Sequence, residues 1–187
     1  GDIVVDPGVT LNVDPGVTIR MPSGASIYVG GVLNFNGTAL APITIEPQIG
    51  AGRWGAIGFT NATGTSTLSH FVLAGATLAA KDPVNLKAAI SALNSNIVIE
   101  FGDISAPFPV FARGGSTTVR FTQIHPEFTG DGINIKSGAG LVEDCTFLGN
   151  REPDTDAIDF DNVVNGVIQR NRICAFLGFN SDGIDIG

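Results

Sequence analysis

The sequence is poor in the side chains that most metal and nucleophile sites need. Its 187 residues include only two cysteines and two histidines, with one tryptophan, one tyrosine and one methionine. Because the cysteines and histidines are few and scattered, a zinc site is disfavoured. No local signature of a serine or cysteine nucleophile is present, and no glycine-rich loop opens onto a helix as in nucleotide-binding proteins. The chain therefore lacks the usual signatures of these enzyme classes.

Charge is also scarce, and most of it is negative. Charged residues make up 15% of the chain, and the net charge is −8. Nucleic acids and anionic membranes attract basic patches, so both partners are disfavoured. No run of about 20 apolar residues is present, so we expect no transmembrane helix. The first residues have neither the basic nor the apolar region of a signal peptide.

Glycine and apolar residues are abundant, and they form a repeat. The segments 131–136, 156–161 and 182–187 each read as an acidic residue, a small residue, isoleucine, an acidic residue or amide, and an apolar residue, and the third of them breaks off at Gly187. The three segments start 25 and then 26 residues apart. A period of this length, built from strand-forming residues and glycine, indicates a solenoid of stacked β-coils.

Other short strands fit the same architecture. The hexapeptide at Val5–Thr10 recurs unchanged at Val13–Thr18, and each copy contains the turn signal Pro-Gly. A second class of strands is predicted at Leu68–Leu73, Ile97–Ile104, Val119–Ile124, Val142–Phe147 and Ile168–Ile173. Residues 78–94 are predicted to form either one short helical turn or an elongated loop.

We therefore predict an all-β fold, a right-handed parallel β-helix of about six or seven coils. The predicted hand is right because crossovers between parallel strands are almost always right-handed. Residues 1–187 form a single β-helix domain in this interpretation. Because the last repeat stops at Gly187 without the strands that should complete its coil, we expect the domain to be a module of a larger protein.

Stacking the repeats would align acidic side chains in two columns. Strands lie about 4.8 Å apart, so like charges in a column are close neighbours and need compensation. By strand alternation the isoleucines should point inward and the residues between them outward. The predicted columns are Asp131, Asp156 and Asp182, and Asn134, Asp159 and Asp185.

Three interpretations of these columns remain open. The first is a Ca²⁺ site, because hard cations prefer oxygen ligands; its candidate ligands are Asp156, Asp159, Asp161, Asp182 and Asp185. The second is hydrogen bonding to sugar hydroxyls by Asn134, Asp159 and Asp185. The third is a solvated acidic face in which aspartates cap turns.

Aromatic side chains are the other candidates for a sugar site. Sugar rings stack on exposed aromatic surfaces, which combine a large apolar area with tolerance of polar neighbours. The candidate platforms are Trp54, Phe108, Phe111 and Phe128, although Trp54 could equally be a packing residue. Inward positions are instead predicted for Phe35, Phe59, Phe121, Phe147 and Phe160.

Parts of the sequence resemble known β-helix proteins. Residues 16–38, Pro42–Ile45 and Trp54–Ile57 resemble the opening coils of bacterial right-handed β-helix repeat proteins. The C-terminal coils resemble extracellular β-helix proteins that handle plant polysaccharide. The segment Asn180–Asp185 is similar to the Asn-Thr-Asp-Gly-x-Asp motif of polygalacturonases, but their Gly-His-Gly and Arg-x-Lys motifs are missing. Pectate lyases use aspartate-bound Ca²⁺ with a basic residue, and few basic residues accompany the columns here.

The chain also resembles non-catalytic β-helix modules attached to bacterial xylan-degrading enzymes. This resemblance implies a monomeric, non-enzymatic module that binds plant cell-wall polysaccharide, with xylan first. It implies a linked catalytic domain in the same polypeptide, bacterial origin, and a secreted or cell-surface location. Two alternatives remain: a β-helix polysaccharide lyase or glycoside hydrolase that uses the aspartate columns, and a structural segment of an adhesin.

Overall fold

The computed structural model describes residues 1–78 and 86–187, and this part of the chain is all-β. It contains no helix, and therefore none that could cross a membrane. Its 18 strands are β1 (Ile3–Val5), β2 (Thr10–Val13), β3 (Thr18–Met21), β4 (Ile27–Val29), β5 (Val32–Asn36), β6 (Ile43–Pro47), β7 (Ile57–Thr60), β8 (Thr65–Ala74), β9 (Ile90–Ala106), β10 (Val110–Arg120), β11 (Gln123–Pro126), β12 (Ile133–Lys136), β13 (Ala139–Glu143), β14 (Thr146–Leu148), β15 (Ile158–Asp161), β16 (Val167–Gln169), β17 (Arg172–Cys174) and β18 (Ile184–Ile186).

All pairings between these strands are parallel, and they recur in groups of three. Strand β1 pairs with β4, β2 with β5, and β3 with β6. Toward the other end β12 pairs with β15, β13 with β16 and β14 with β17. The chain thus visits three sides in turn and stacks each visit on the previous one, a pattern compatible with a β-solenoid.

We name the three sides sheet A, sheet B and sheet C. Sheet A contains β1, β4, β7, the first parts of β9 and β10, β12, β15 and β18. Sheet B contains β2, β5, the first part of β8, the middle of β9, the second part of β10, β13 and β16. Sheet C contains β3, β6, the last parts of β8 and β9, β11, β14 and β17.

The core is built from columns of apolar side chains that point inward from each sheet. In sheet A the register aligns Ile27 with Ile57 and Ile133 with Ile158. These four isoleucines are almost completely buried. β-branched side chains have few rotamers and pack well on a pleated surface, so identical residues stack without strain. The predicted inward positions of the repeat isoleucines are therefore confirmed at these coils.

One predicted core residue lies outside. The ring of Phe121 is 45% exposed, although strand alternation after Val119 predicts an inward side chain. Phe121 has a φ of 51° and forms the corner between sheets B and C. This extra residue interrupts the alternation, so that the next inward residues are Thr122 and Ile124.

The predicted helical turn or loop at residues 78–94 lies partly outside the described residues, which resume at Leu86. From Leu86 to Ala89 the chain is not helical, and β9 begins at Ile90. Leu86 is buried and packs over sheet A, since a Cβ at Gly58 would overlap its side chain. Its cluster also includes Ala56, Ala88, Leu93 and Phe111.

The tight stacking of coils leaves no space for a side chain at some glycines. Gly115 and Gly8 both have positive φ, 72° and 82°. A Cβ at Gly115 would overlap the backbone of Ser95 in the previous coil, whereas a Cβ at Gly8 meets nothing within 4 Å. An alanine at Gly8 would therefore be destabilised by backbone strain alone, whereas an alanine at Gly115 would also collide with the neighbouring coil.

Substitution of these glycines by alanine tests the stacking. We expect Gly8→Ala to lower the free energy of unfolding by about 1–2 kcal/mol, the cost of the left-handed conformation. Gly115→Ala should cost about 1–3 kcal/mol more, because the coils must separate to admit the methyl group. Urea denaturation of both variants measures the difference, and equal losses would contradict the described packing.

Candidate functional site

The C-terminal coils of sheet A carry a concentration of polar side chains on their outer side. The register aligns Asn134 with Asp159, and Asp159 with Asp185, as predicted from the repeat. In the preceding coil the same column contains Phe111. We call this surface the acidic face and define it by Asp131, Asn134, Lys136, Asp156, Asp159, Asp161, Asp182 and Asp185.

The first aspartate column is held by the backbone. Asp131 Oδ1 accepts a hydrogen bond from the backbone N–H of Asp156 at 3.1 Å. Asp156 Oδ1 accepts one from the N–H of Asp182 at 2.6 Å. Each carboxylate thus caps an amide of the next coil, and the partial positive charge of these N–H groups offsets the repulsion between neighbouring acids.

Asn134 links the two columns. Its Nδ2 donates hydrogen bonds to Asp131 Oδ2 at 2.7 Å and to Asp159 Oδ2 at 2.5 Å. Although both side chains lie on the outer side of sheet A, Asn134 is only 5% exposed and Asp159 only 9%. Of the three interpretations left open by the sequence, a solvated face therefore does not describe these two positions, because the polar side chains pack against one another.

Lys136 is the one cation of the acidic face as defined. Its Nζ forms an ion pair with Asp161, its register partner in the next coil, and lies 3.9 Å from Asp159 Oδ2. The hydrogen bond with Asp161 raises the pKa of Lys136, and burial opposes this effect. Lys136 therefore remains charged and neutralises part of the face.

Burial and neighbouring acids change the titration of the central carboxyl group. Burial, followed by the charges of Asp161 and Asp131, raises the pKa of Asp159 to about 6, while Lys136 acts in the opposite direction. The pKa of Asp156 is also raised, mainly by burial. Asp159 therefore takes up a proton in mildly acidic solution.

Two oxygen atoms of this cluster are buried without a hydrogen-bond partner. They are Asn134 Oδ1 and Asp159 Oδ1. An unpaired buried acceptor is unfavourable, and protonation of Asp159 removes the negative charge from one of these two buried groups. The cluster can therefore hold a proton on Asp159.

The predicted Ca²⁺ ligands do not form a ready-made site. Across residues 1–78 and 86–187, no group of three or more His, Cys, Asp or Glu side chains is arranged to hold a metal ion. Asp161 is paired with Lys136, and Asp156 caps a backbone amide. The proposed ligands Asp156, Asp159, Asp161, Asp182 and Asp185 are divided between columns, so calcium binding there would require rearrangement.

Trp54 is not a sugar platform. Its side chain is completely buried, and its indole N–H donates to the backbone oxygen of Ala74 at 2.8 Å. The prediction for Trp54 is therefore wrong, and of the two roles left open by the sequence the packing role holds. Phe111 is also buried, beneath Leu86 and the cations Lys87 and Arg113, whose charged groups lie 5.9 Å from its ring centroid.

Phe108 and Phe128 are the two remaining aromatic candidates, and neither is fully buried. Phe108 is half-buried, with its ring edge-on to Phe111 at a centroid distance of 6.2 Å. The N–H of Ala89 bonds to the carbonyl of Phe108, as the N–H of Gly132 does to Asp156, which places Phe108 in the first aspartate column. Phe128 is 53% exposed and lies under the guanidinium of Arg53, 5.4 Å from its ring centroid.

An exposed aromatic column was not predicted from the sequence. His70, Phe101 and Phe121 lie at the corner between sheets B and C in successive coils, with ring centroids 4.5 and 5.0 Å apart. Their spacings of 31 and 20 residues differ because the coils differ in length. No regular period reveals the alignment, so only the register of β8, β9 and β10 brings them together.

Comparisons with known proteins identify no relative. No family model matches this sequence, and neither the curated proteins nor the solved structures contain a match.

The titration of Asp159 gives a pH prediction. An unfolded aspartate has a pKa of about 3.9, and the folded value of about 6 is higher. The folded state therefore binds this proton more tightly, and the resulting stability is present at low pH and lost as the pH rises through about 6. We expect the melting temperature to fall between pH 4 and pH 7.

The variant Asp159→Asn isolates this effect, because its amide oxygen can still accept from Asn134. The fall in melting temperature should be clearly smaller in Asp159→Asn, and the variant should be the more stable protein at pH 7. Asp14→Asn, which removes an exposed charge from the other end of the chain, serves as the control. If Asp159→Asn and the parent protein show parallel pH profiles, the proton is not held by Asp159.

Proposed function

We propose that this protein binds plant cell-wall polysaccharide without cleaving it, that xylan is its first candidate ligand, and that its fold is a right-handed parallel β-helix. The three-sided parallel stacking supports the fold, and the general preference for right-handed crossovers supports the hand. The polysaccharide chain lies along the stacked coils on the outer side of sheet A.

The observation that carries this proposal is the presence of aromatic surface next to columns of hydrogen-bonding side chains. Phe108, in the first aspartate column, and Phe128, three residues before Asp131 in the chain, provide partly exposed aromatic surface. Beside them, carboxylate and amide groups recur once per coil in two columns. Sugar recognition uses this combination, since rings contact the apolar faces of sugars and carboxylates accept hydrogen bonds from their hydroxyls.

The negative charge of the acidic face favours a neutral polymer over an anionic one. The protein carries a net charge of −8, and the acidic face contains six aspartates against one lysine as defined above. An anionic polymer such as pectate is repelled unless a cation bridges the two. Xylan, mixed-linkage glucan and mannan avoid this repulsion, and xylan is placed first because of the sequence resemblance to modules of xylan-degrading enzymes.

The proposed module works by concentrating a partner on its substrate. A linked catalytic domain in the same polypeptide gains a high effective concentration on insoluble polysaccharide when the module is bound. This role requires a secreted or cell-surface location and no oligomer, so we propose a bacterial extracellular monomer. Calcium is not needed for the proposed contacts.

A second candidate function is a polysaccharide hydrolase or lyase. The raised pKa of Asp159 favours it, because a general acid must hold its proton near the working pH. Asp131 and Asp159 both accept hydrogen bonds from the same amide nitrogen of Asn134, so two carboxyl groups lie close together. However, Asp159 Oδ1 is buried and Asp131 is engaged by a backbone amide, so neither group is free for chemistry in this arrangement.

Affinity gel electrophoresis with soluble xylan, mixed-linkage glucan, mannan and pectate, with and without EDTA, tests the proposal. We expect retardation by neutral polymers, no effect of EDTA, and no new reducing ends or unsaturated products in the same incubations. Released product would overturn the binding role and favour the enzyme. Absence of both retardation and product would leave a structural role.

A pair of variants locates the binding surface. Phe128→Ala should weaken retention about tenfold, the usual effect of removing an aromatic anchor worth roughly 1.4 kcal/mol. Val167→Ala removes an exposed apolar side chain from sheet B instead and should bind like the parent protein. Equal retention of both variants would place the ligand away from Phe128.

A further inference from the structure

The corner between sheets B and C carries a column that the acidic face does not explain. In successive coils it contains His70, Phe101, Phe121, Asp144 and Arg170, all with φ between 50° and 55°. The last two residues form an ion pair, with Arg170 Nη2 2.7 Å from Asp144 Oδ2. The first three carry rings, and we call them the aromatic column.

The rings of the aromatic column stack on one another. The His70 and Phe101 planes are inclined by 19°, and the Phe101 and Phe121 planes by 8°. Phe101 is nevertheless 43% exposed and Phe121 45% exposed. Because neighbouring rings cover each other's faces, the surface open to solvent consists mainly of ring edges. These edges carry partial positive charge, which attracts oxygen atoms.

The fold does not require aromatic residues at such a corner. At the corner between sheets A and B, the residues with positive φ are four glycines, one serine and four asparagines: Gly8, Gly114, Gly115, Gly138, Ser137, Asn61, Asn94, Asn162 and Asn165. Asparagine tolerates this conformation best among residues other than glycine, whereas a bulky side chain is strained there. The aromatic column therefore retains both backbone strain and exposed apolar surface that asparagine would avoid. Unfavourable features of this kind concentrate at binding sites.

A groove of about 280 Å³ runs beside the ring edges. Its floor is formed by Val72, Asp103 and Gln123, which follow the corner residues into sheet C, and one end is bounded by Thr38 and Pro42. Amide, carboxylate and hydroxyl groups thus line one side, and aromatic C–H groups line the other. The groove spans three coils along the stack.

The charge of the groove selects the class of ligand. Asp103 Oδ1 lies 3.3 Å from His125 Nε2, a contact that is an ion pair only when the histidine is protonated. No lysine or arginine belongs to the described residues that line the groove. The described lining therefore offers no lysine or arginine counter-charge to an anionic ligand. It does offer hydrogen-bond donors and acceptors beside apolar ring edges, which suits a neutral ligand rich in hydroxyl groups.

We propose that this groove is a second binding site for neutral polysaccharide, formed by Phe101, Phe121, Asp103 and Gln123. The class of ligand rests on the function proposed above, whereas the location is independent of the acidic face. Two sites on separate sides of the coil stack make the protein bivalent toward a polymer. Each site alone then binds weakly, and their combination gives strong retention on insoluble material.

The variants Phe101→Asn and Phe121→Asn test this proposal without endangering the fold. Each removes a ring but inserts the residue that best tolerates the left-handed conformation, so the melting temperature should not fall by more than a few degrees. We expect each variant to lose about tenfold in retention on soluble xylan. Phe128→Ala provides the matched loss of an aromatic ring on the acidic face.

Titration of the protein with xylohexaose, followed by NMR, distinguishes the two sites. Shifts of the Phe101, Phe121 and His70 ring signals support the second site. Shifts confined to the acidic face, with full retention by Phe101→Asn and Phe121→Asn, overturn the second site and leave the proposed function intact. Shifts confined to the aromatic column support the second site and overturn the acidic face as the binding surface. Shifts at neither place, with no retention of the parent protein on xylan, overturn both.

Discussion

Parallel in-register stacking of the coils limits which side chain each position can carry. Each strand pairs with the equivalent strand of the next coil, so a side chain meets its counterpart at a distance of about 4.8 Å. Every position must therefore tolerate a similar neighbour above and below. Isoleucine satisfies this condition by packing, as Ile133 and Ile158 do in the core. Glycine satisfies it at Gly115 by leaving room for the preceding coil.

Stacked acids need a different solution, and the acidic face shows two. In one column, Asp131 and Asp156 each accept a backbone N–H of the following coil, so the main chain supplies the compensating dipoles. In the other column the amide of Asn134 replaces one carboxylate and bridges to Asp159. The compensation at Asp159 is incomplete, because one oxygen remains unpaired and burial raises its pKa. The unpaired oxygen and the pKa of about 6 distinguish Asp159 from the other aspartates of the acidic face.

The same stacking distributes aromatic residues between three roles. Trp54 lies inside and satisfies its indole N–H with a backbone oxygen, so it contributes to the core. Phe111 lies on the outer side of sheet A but is covered by Leu86. Phe101 and Phe121 lie at a corner where strand alternation breaks, and their rings reach solvent. Exposure is thus decided by the position of a residue in the coil and by what crosses over it, rather than by residue type.

The all-β character, the parallel stacking period and the two acidic columns could be predicted from the order of residues. These follow from local rules, because a regular repeat of strand-forming residues places equivalent side chains in register. Which outward side chains are buried, and where the corners fall, could be seen only once the coils were packed together. The burial of Asn134 and Asp159 depends on contacts between coils, and the alignment of His70 with Phe101 and Phe121 depends on coils of unequal length. Neither relation has a signature in the local order of residues, since both arise from packing between segments that are distant in the chain.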